Sequence, residues 1–371
     1  MGVSTVKFNV HEQSEFFKEL RKRVNKHFKD NNISKYGNFN MKFKTVFMIS
    51  LYFVPFALIL TGVVSSLWMV LLMWTLMGFG MSGIGLSVMH DANHGAYSKN
   101  KYVNYSLGFL ANFLGVNHTN WKIQHNILHH SYTNVDGFDE DIKNGVLRLS
   151  PNQVRKWAHQ FQAYYAPFLY AIMTVYWTIS KDFEGLVRYK EKELLASQGL
   201  TFGQGLTQLI IYKLFYFALT IALPLILIDL PWWQIMTGYL IMHAICGLVL
   251  TLIFQPAHVI EETQFYVPDE NGSIDNNWAI HQMKTTSNFA NGSTFFSWFI
   301  GGLNYQIEHH LFPNICHVHY RKIAKIVKET ANEFDVPYYH HKTFYKAVKS
   351  HFTLLNQLGT GSYDKKLANA I

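Results

Sequence analysis

Three short histidine-bearing stretches, each set against a strongly apolar segment, constrain this chain more than any other feature: HDANH at 90–94, HNILHH at 125–130 and QIEHH at 306–310. Polar groups beside a bilayer are costly unless they are paired or ligating, and a neutral imidazole is a good ligand for iron, zinc or copper. Packing accounts easily for one such stretch and poorly for three. The pattern points to a membrane enzyme built around a histidine-rich metal centre.

Composition agrees. Of 371 residues 49% are hydrophobic, 16% aromatic and 15% charged, the balance of an integral membrane protein with a polar cap. A net charge of +8 suits anionic phospholipid, a CoA-like or phosphorylated head group, or an acidic redox partner. No recognition motif accompanies the basic residues, so nucleic acid is not an expected partner. Cys246 and Cys316 make neither a disulfide framework nor a CxxC site, which leaves histidine and oxygen ligands to hold any metal. The polar start, MGVSTVKFNVHEQ, has no signal-peptide apolar region.

Hydropathy predicts an all-α, multi-pass membrane fold with four spans at about 46–64, 67–89, 206–228 and 232–257. Lysine and arginine crowd residues 1–44 and 181–195 but are missing from the turn at 229–233, which places the histidine-bearing ends on the cytoplasmic side. Residues 1–44 read as a cytosolic amphipathic region lying on the membrane, 45–325 as the membrane domain and 326–371 as a cytosolic helical tail. The apolar stretches at 102–115 and 160–180 are expected in the interface, because a crossing by either would put the boxes on opposite sides. Gly78, Gly80, Ser82, Gly83, Gly85 and Ser87 in the second span allow close helix contact, or leave room for a chain-like ligand.

Spacing then selects ligands. His90 and His94 lie four apart on one helical face, with Asp91 and Asn93 placed to orient them. His125 and His129 repeat that spacing, while adjacent His129 and His130 point about 100° apart and let two metals share one segment. His258 ends the fourth span at the depth of His90, and His309 and His310 close the third box. His243, in mid-span, is expected to make a core hydrogen bond. His118 is expected at the surface or behind the ligands, Gln306 and His281 behind them, and the acidic loop VDGFDED as a solvated charge run. His90, His94, His125, His129, His130, His258, His309 and His310 exceed the three or four protein ligands of one zinc ion, so two metals are inferred. An imidazole-rich centre suits redox-active iron, and removing hydrogen from an unactivated methylene is beyond acid–base catalysis.

With HDANH, WKIQHNILHHSYTN and LNYQIEHHLFPNICHVHY in order, the chain resembles the membrane fatty acid desaturase family over roughly 45–325. The resemblance implies a mushroom-like helical fold with four transmembrane helices, interfacial helices and a cytosolic cap holding a di-iron site. It also implies that O2 and two electrons convert a CH2–CH2 pair of a fatty acyl-CoA or acyl-lipid into a cis double bond, releasing water. Gln306 stands where many members carry histidine, which resembles the front-end group that desaturates between an existing double bond and the carboxyl end. The HPGG haem motif of fused cytochrome b5 domains does not occur in this sequence. A separate donor, ferredoxin or cytochrome b5, is therefore expected, in a linoleoyl-CoA-desaturase-like protein of a bacterial inner membrane. The rivals are a fatty acyl hydroxylase or other di-iron oxygenase on the same scaffold, and a non-redox zinc hydrolase or metal-binding transporter of the membrane.

Overall fold

The computed structural model describes residues 6–11, 13–143 and 145–368. Helices dominate, and the strands among the described residues are two short parallel pairs, Lys7–Phe8 with Ser273–Ile274 and Ser287–Phe289 with Tyr339–His341. Among the described residues four helices are long and apolar enough to cross a membrane: Phe39–Leu60, Leu67–Asn93, Phe202–Leu227 and Trp232–His258. At about 1.5 Å per residue each exceeds the roughly 30 Å of a hydrocarbon core. The second and fourth run to Asn93 and His258, so His90 and His258 sit in the last turns of the spans themselves.

The chain forms two compact units, one from Asn38–Ile123 and Phe168–Thr251, the other from Ser4–Gly37, Gln124–Pro167 and Leu252–Ile371. In the first unit, small residues bring helices into backbone contact. A Cβ on Gly80 would stand 2.6 Å from the Tyr52 nitrogen, and one on Gly83 2.3 Å from Met48 Sδ. Gly78, Gly80 and Gly83 thus serve packing, with neighbouring helix filling the space a ligand would need, whereas a Cβ on Gly85 would meet only Leu250 at 3.5 Å. The helix Gln162–Tyr176, expected in the interface, lies against the fourth span: a Cβ on Gly247 would come within 2.4 Å of the Tyr170 carbonyl oxygen, and Thr174 Oγ1 donates to the His243 carbonyl at 2.9 Å. His243 makes the core hydrogen bond expected of it, with Tyr216 Oη at 2.6 Å.

Lys213, buried in the third span, is neutralised in place. Its three ammonium donors go to the carbonyls of Gly115 (2.7 Å) and Trp177 (3.0 Å) and to Asp182 Oδ2 (2.6 Å). Asp182 also accepts from the Asn117 N–H at 2.9 Å and Trp177 Nε1 at 3.1 Å. This network ties the segment leading into the second histidine box to two other helices of the same unit.

The core of the second unit gathers Phe16, Leu20 and Val24 of the helix Ser14–Asp30, Ala279 and Met283, Ile307 and Leu311, and Ile323 and Val327 of the helix Tyr320–Glu333. The first of these helices was expected to lay its apolar stripe on the membrane. Instead that stripe is buried against protein, and Arg23 closes the contact with a bidentate pair to Glu333 at 2.7 Å and 2.7 Å. Phe16 meets Phe334 at 6.0 Å and Phe28 meets His319 at 5.2 Å between ring centroids, so the two helices run antiparallel.

Candidate metal centre

His90 and His94 belong to the first unit, at the end of the second span. The helix widens into a π turn over Ile84–Met89 immediately before them, a device that re-aims the side chains that follow. Their rings lie 4.8 Å apart, both within 6 Å of the Trp121 ring, at 5.6 Å and 5.9 Å. Asp91 is 1% exposed and brings Oδ1 to 3.7 Å from His90 Nδ1. Asn93 rests on Gly108, where a Cβ would fall 2.2 Å from its Oδ1, so only glycine leaves Asn93 its place.

The second unit carries the other six candidates. A second π turn, Ile123–His129, holds the middle box and stacks the rings of His125 and His129 at 5.5 Å and 20°. His130 points elsewhere: its Nε2 lies 3.2 Å from Nε2 of His125 and 2.9 Å from Nε2 of His309. His309 is held from behind by Tyr320 Oη, 3.1 Å from its Nδ1.

His129, His258 and His310 form a separate buried triangle, with ring centroids 4.8, 4.9 and 4.7 Å apart and potential ligand atoms all within 4.8 Å of one another. Each ring is fixed through Nδ1. His129 Nδ1 meets both oxygens of Asp139 at 3.2 Å, His258 Nδ1 faces the Thr285 carbonyl at 3.2 Å, and His310 Nδ1 faces Gln282 Oε1 at 2.8 Å. Orienting partners of this kind are what metal-binding histidines use to present the other nitrogen. Nε2 of His129 and Nε2 of His258 are buried with no hydrogen-bond partner. Leaving such atoms unsatisfied costs about 1–3 kcal/mol each, a cost a bound cation removes. The donor set therefore fits a divalent transition metal. Gln306 is 1% exposed, and its Oε1 also lacks a hydrogen-bond partner.

The acidic loop corrects the sequence reading. Asp139 is 1% exposed rather than solvated, and accepts from the N–H groups of Asn134 (2.9 Å) and Asp141 (3.0 Å). Burial alone would raise its pKa, but His129 and those two N–H donors outweigh burial and hold the carboxyl below its ordinary range. Asn134 has the left-handed φ of 55° that asparagine tolerates, turning the chain so that its own N–H reaches Asp139. Glu308, inside the third box, is fully buried and accepts from Asn288 Nδ2 at 2.8 Å and Tyr338 Oη at 3.1 Å; burial pushes its carboxyl up to about 7. Thr133, Gln282, Thr285 and Tyr320 likewise hold rings in place, and no spacing rule marks them beforehand.

His281 stays outside the triangle, its Nε2 on the Thr133 carbonyl at 2.7 Å; the ring support comes from the next residue, Gln282. His118 is buried rather than at the surface, with Nδ1 2.9 Å from Asn112 Nδ2 among the rings of Tyr105 and Phe109.

Comparison with known proteins covers the stretch of chain that carries all three boxes. The family model for fatty acid desaturases fits residues 66–342. A protein named sn-1 linoleoyl-lipid 6-desaturase from Arthrospira platensis is 37% identical over 356 residues, covering 95% of each chain. Its namesake from Synechocystis sp. is 36% identical, over 94% of this chain and 96% of that one. An acyl-lipid (8-3)-desaturase from Physcomitrium patens is 34% identical, over 96% and 74%. Four membrane-length helices among the described residues, a buried histidine triangle and similarity along almost the whole chain converge, and the chain belongs to the fatty acid desaturase family of integral membrane oxidoreductases, which introduce double bonds into fatty acyl chains.

Proposed function

We propose that this desaturase acts on a lipid-linked, already unsaturated acyl chain and inserts a cis double bond between the existing double bond and the carboxyl end. The reading is supported by the two relatives named for a linoleoyl-lipid substrate and by Gln306 at the head of the third box. The balance is R–CH2–CH2–R′ + O2 + 2 e− + 2 H+ → R–CH=CH–R′ + 2 H2O. The observation that carries the chemistry is the buried His129–His258–His310 triangle, in which Nε2 of His129 and Nε2 of His258 have no hydrogen-bond partner.

In this proposal two iron ions are held at the cytoplasmic face. One takes His129, His258 and His310; His125 and His309 serve the other with His130 beside them, and His90 and His94 are further candidate ligands at the end of the second span. Iron, when bound, supplies the activation of O2 and the removal of hydrogen from an unactivated methylene. The protein's own residues position and insulate. Asp139, Thr285 and Gln282 fix the Nδ1 sides, so that three Nε2 atoms stay aimed at one point without moving during turnover. Phe254, 4.9 Å from the His129 ring, helps keep water from that ring. The two electrons come from an external acidic carrier such as ferredoxin or cytochrome b5.

Gas chromatography with mass spectrometry of double-bond-locating derivatives tests the reading, in a host fed linoleate and expressing wild type beside His129→Ala. A new double bond on the carboxyl side of the existing ones, found only with the wild type and in the glycerolipid fraction, is expected. A bond on the methyl side removes the front-end assignment, product confined to acyl-CoA removes the lipid-linked one, and a hydroxylated acid removes both.

A further inference from the structure

We propose that the exposed basic face shared by the helices Ser14–Asp30 and Tyr320–Glu333 is the docking surface for an acidic one-electron carrier protein. The inference rests on the desaturase reading, which requires two electrons per double bond and hence two successive deliveries by a one-electron carrier.

Charge is the first observation. Arg21, Lys26 and Lys29 on one helix and Lys322, Lys325 and Lys328 on the other are exposed, and none forms an ion pair among the described residues. Of the acids on these helices, Glu15 pairs with Lys18, Glu19 with Lys22 and Arg23, and Glu333 with Arg23, and the exposed Asp30 and Glu329 are outnumbered by the six cations. The Arg23–Glu333 pair fixes which flanks of the antiparallel helices adjoin. Lys26 is three residues from Arg23 along its helix, and Lys322 is eleven residues, or three turns, from Glu333. Both therefore fall on the adjoining flanks, so exposed charge from the two helices meets along their seam.

The second observation separates a protein partner from a lipid surface. A helix resting in a membrane interface presents large apolar side chains on the side it exposes. Here the large apolar residues of both helices point into the core, and among the described residues none within either helix is exposed. Helix surfaces that expose cations and no large apolar side chain suit the charged rim of an acidic soluble protein.

The third observation is position. Tyr320 opens the second helix, is 1% exposed, and touches His309 Nδ1 through its hydroxyl at 3.1 Å. Arg321 and Lys322 follow it directly at the surface. A carrier seated on this face meets the very helix whose first side chain supports a candidate metal ligand.

The test uses full-length protein in phosphatidylcholine nanodiscs, titrated with labelled plant-type [2Fe–2S] ferredoxin. Wild type is compared with Lys322→Glu/Lys325→Glu and with a Lys346→Glu control outside the face. The expected result is a dissociation constant at least about tenfold weaker in the double variant, a control that binds like wild type, and wild-type affinity that falls with salt. In turnover assays the double variant should raise KM for ferredoxin, keep kcat at saturating ferredoxin, and match wild type when methyl viologen supplies the electrons. Equal ferredoxin affinity in wild type and double variant overturns the proposal, as does an equal loss with viologen. Unchanged ferredoxin affinity with an altered response to phosphatidylglycerol discs assigns the face to lipid and also overturns it. A wild type that makes no double bond with viologen contradicts the desaturase reading instead, and the binding arm still decides the docking surface.

Discussion

Asp139 shows how much a single buried side chain can govern in this site. Its carboxylate faces His129 Nδ1 while two backbone N–H groups hold it ionised, so the ring is kept in the tautomer that offers Nε2. Asp139→Asn keeps the shape and removes the charge. Competition with a chelator should show the affinity of the His129 site for Fe(II) falling about 10–100-fold while the circular dichroism stays that of wild type, and unchanged affinity would contradict this role. Glu308 makes the opposite case. Its carboxyl, raised to about 7 by burial, keeps its proton in the folded state at pH values where the unfolded chain has already released it. The stabilising contribution is whole below about pH 4.5 and declines as pH rises through 7, by about 3 kcal/mol at about 1.4 kcal/mol per pKa unit. Thermal unfolding of metal-free protein should therefore weaken across that window, and Glu308→Gln should flatten the dependence; a variant with the wild-type slope would assign it to another group. Neither role was legible in the sequence. The histidines stand out by spacing, but an aspartate nine residues past the box looks like any other loop acid until the fold turns it inward.

Elements were the most legible level, and the reason is physical. A membrane-length apolar run has few alternatives to a helix, because its backbone must satisfy its own hydrogen bonds in lipid. The ends were read less well: the second and fourth spans each continue to the histidines, since a ligand presented from a rigid final turn is better fixed than one from a loop. The π turns Ile84–Met89 and Ile123–His129 left no trace in hydropathy, because one extra residue in a turn changes direction and not composition. Glycine contacts are also read only from the fold. Gly247 and Gly203 are both helical glycines, yet a Cβ on Gly247 would strike the Tyr170 carbonyl at 2.4 Å, and one on Gly203 would meet nothing within 4 Å. Gly247→Ala should thus cost about 1–3 kcal/mol, while Gly203→Ala should be neutral or gain up to about 1 kcal/mol from helix propensity. Thermal unfolding in detergent separates them, and equal stability of the two variants would mean that the fourth span does not pack this closely.

At the scale of the whole molecule, the second unit is assembled from three stretches of chain far apart in sequence, and its histidine triangle draws one ligand from near 129, one from 258 and one from 310. Short apolar contacts between such distant segments carry a loop-closure cost before any gain. A metal held by all three ties those segments together only in the folded state, so its binding free energy adds to stability by mass action. At a free metal concentration a hundred times the dissociation constant the gain is about 2.7 kcal/mol. Stripping the protein with a chelator should therefore lower the apparent unfolding temperature, and re-adding Fe(II) should restore it. His310→Ala, which removes one corner of the triangle, should unfold near the chelated wild type and respond much less to chelator. If His310→Ala keeps the full chelator shift, the stabilising metal is bound elsewhere, and the triangle's support by Asp139, Thr285 and Gln282 needs a different explanation.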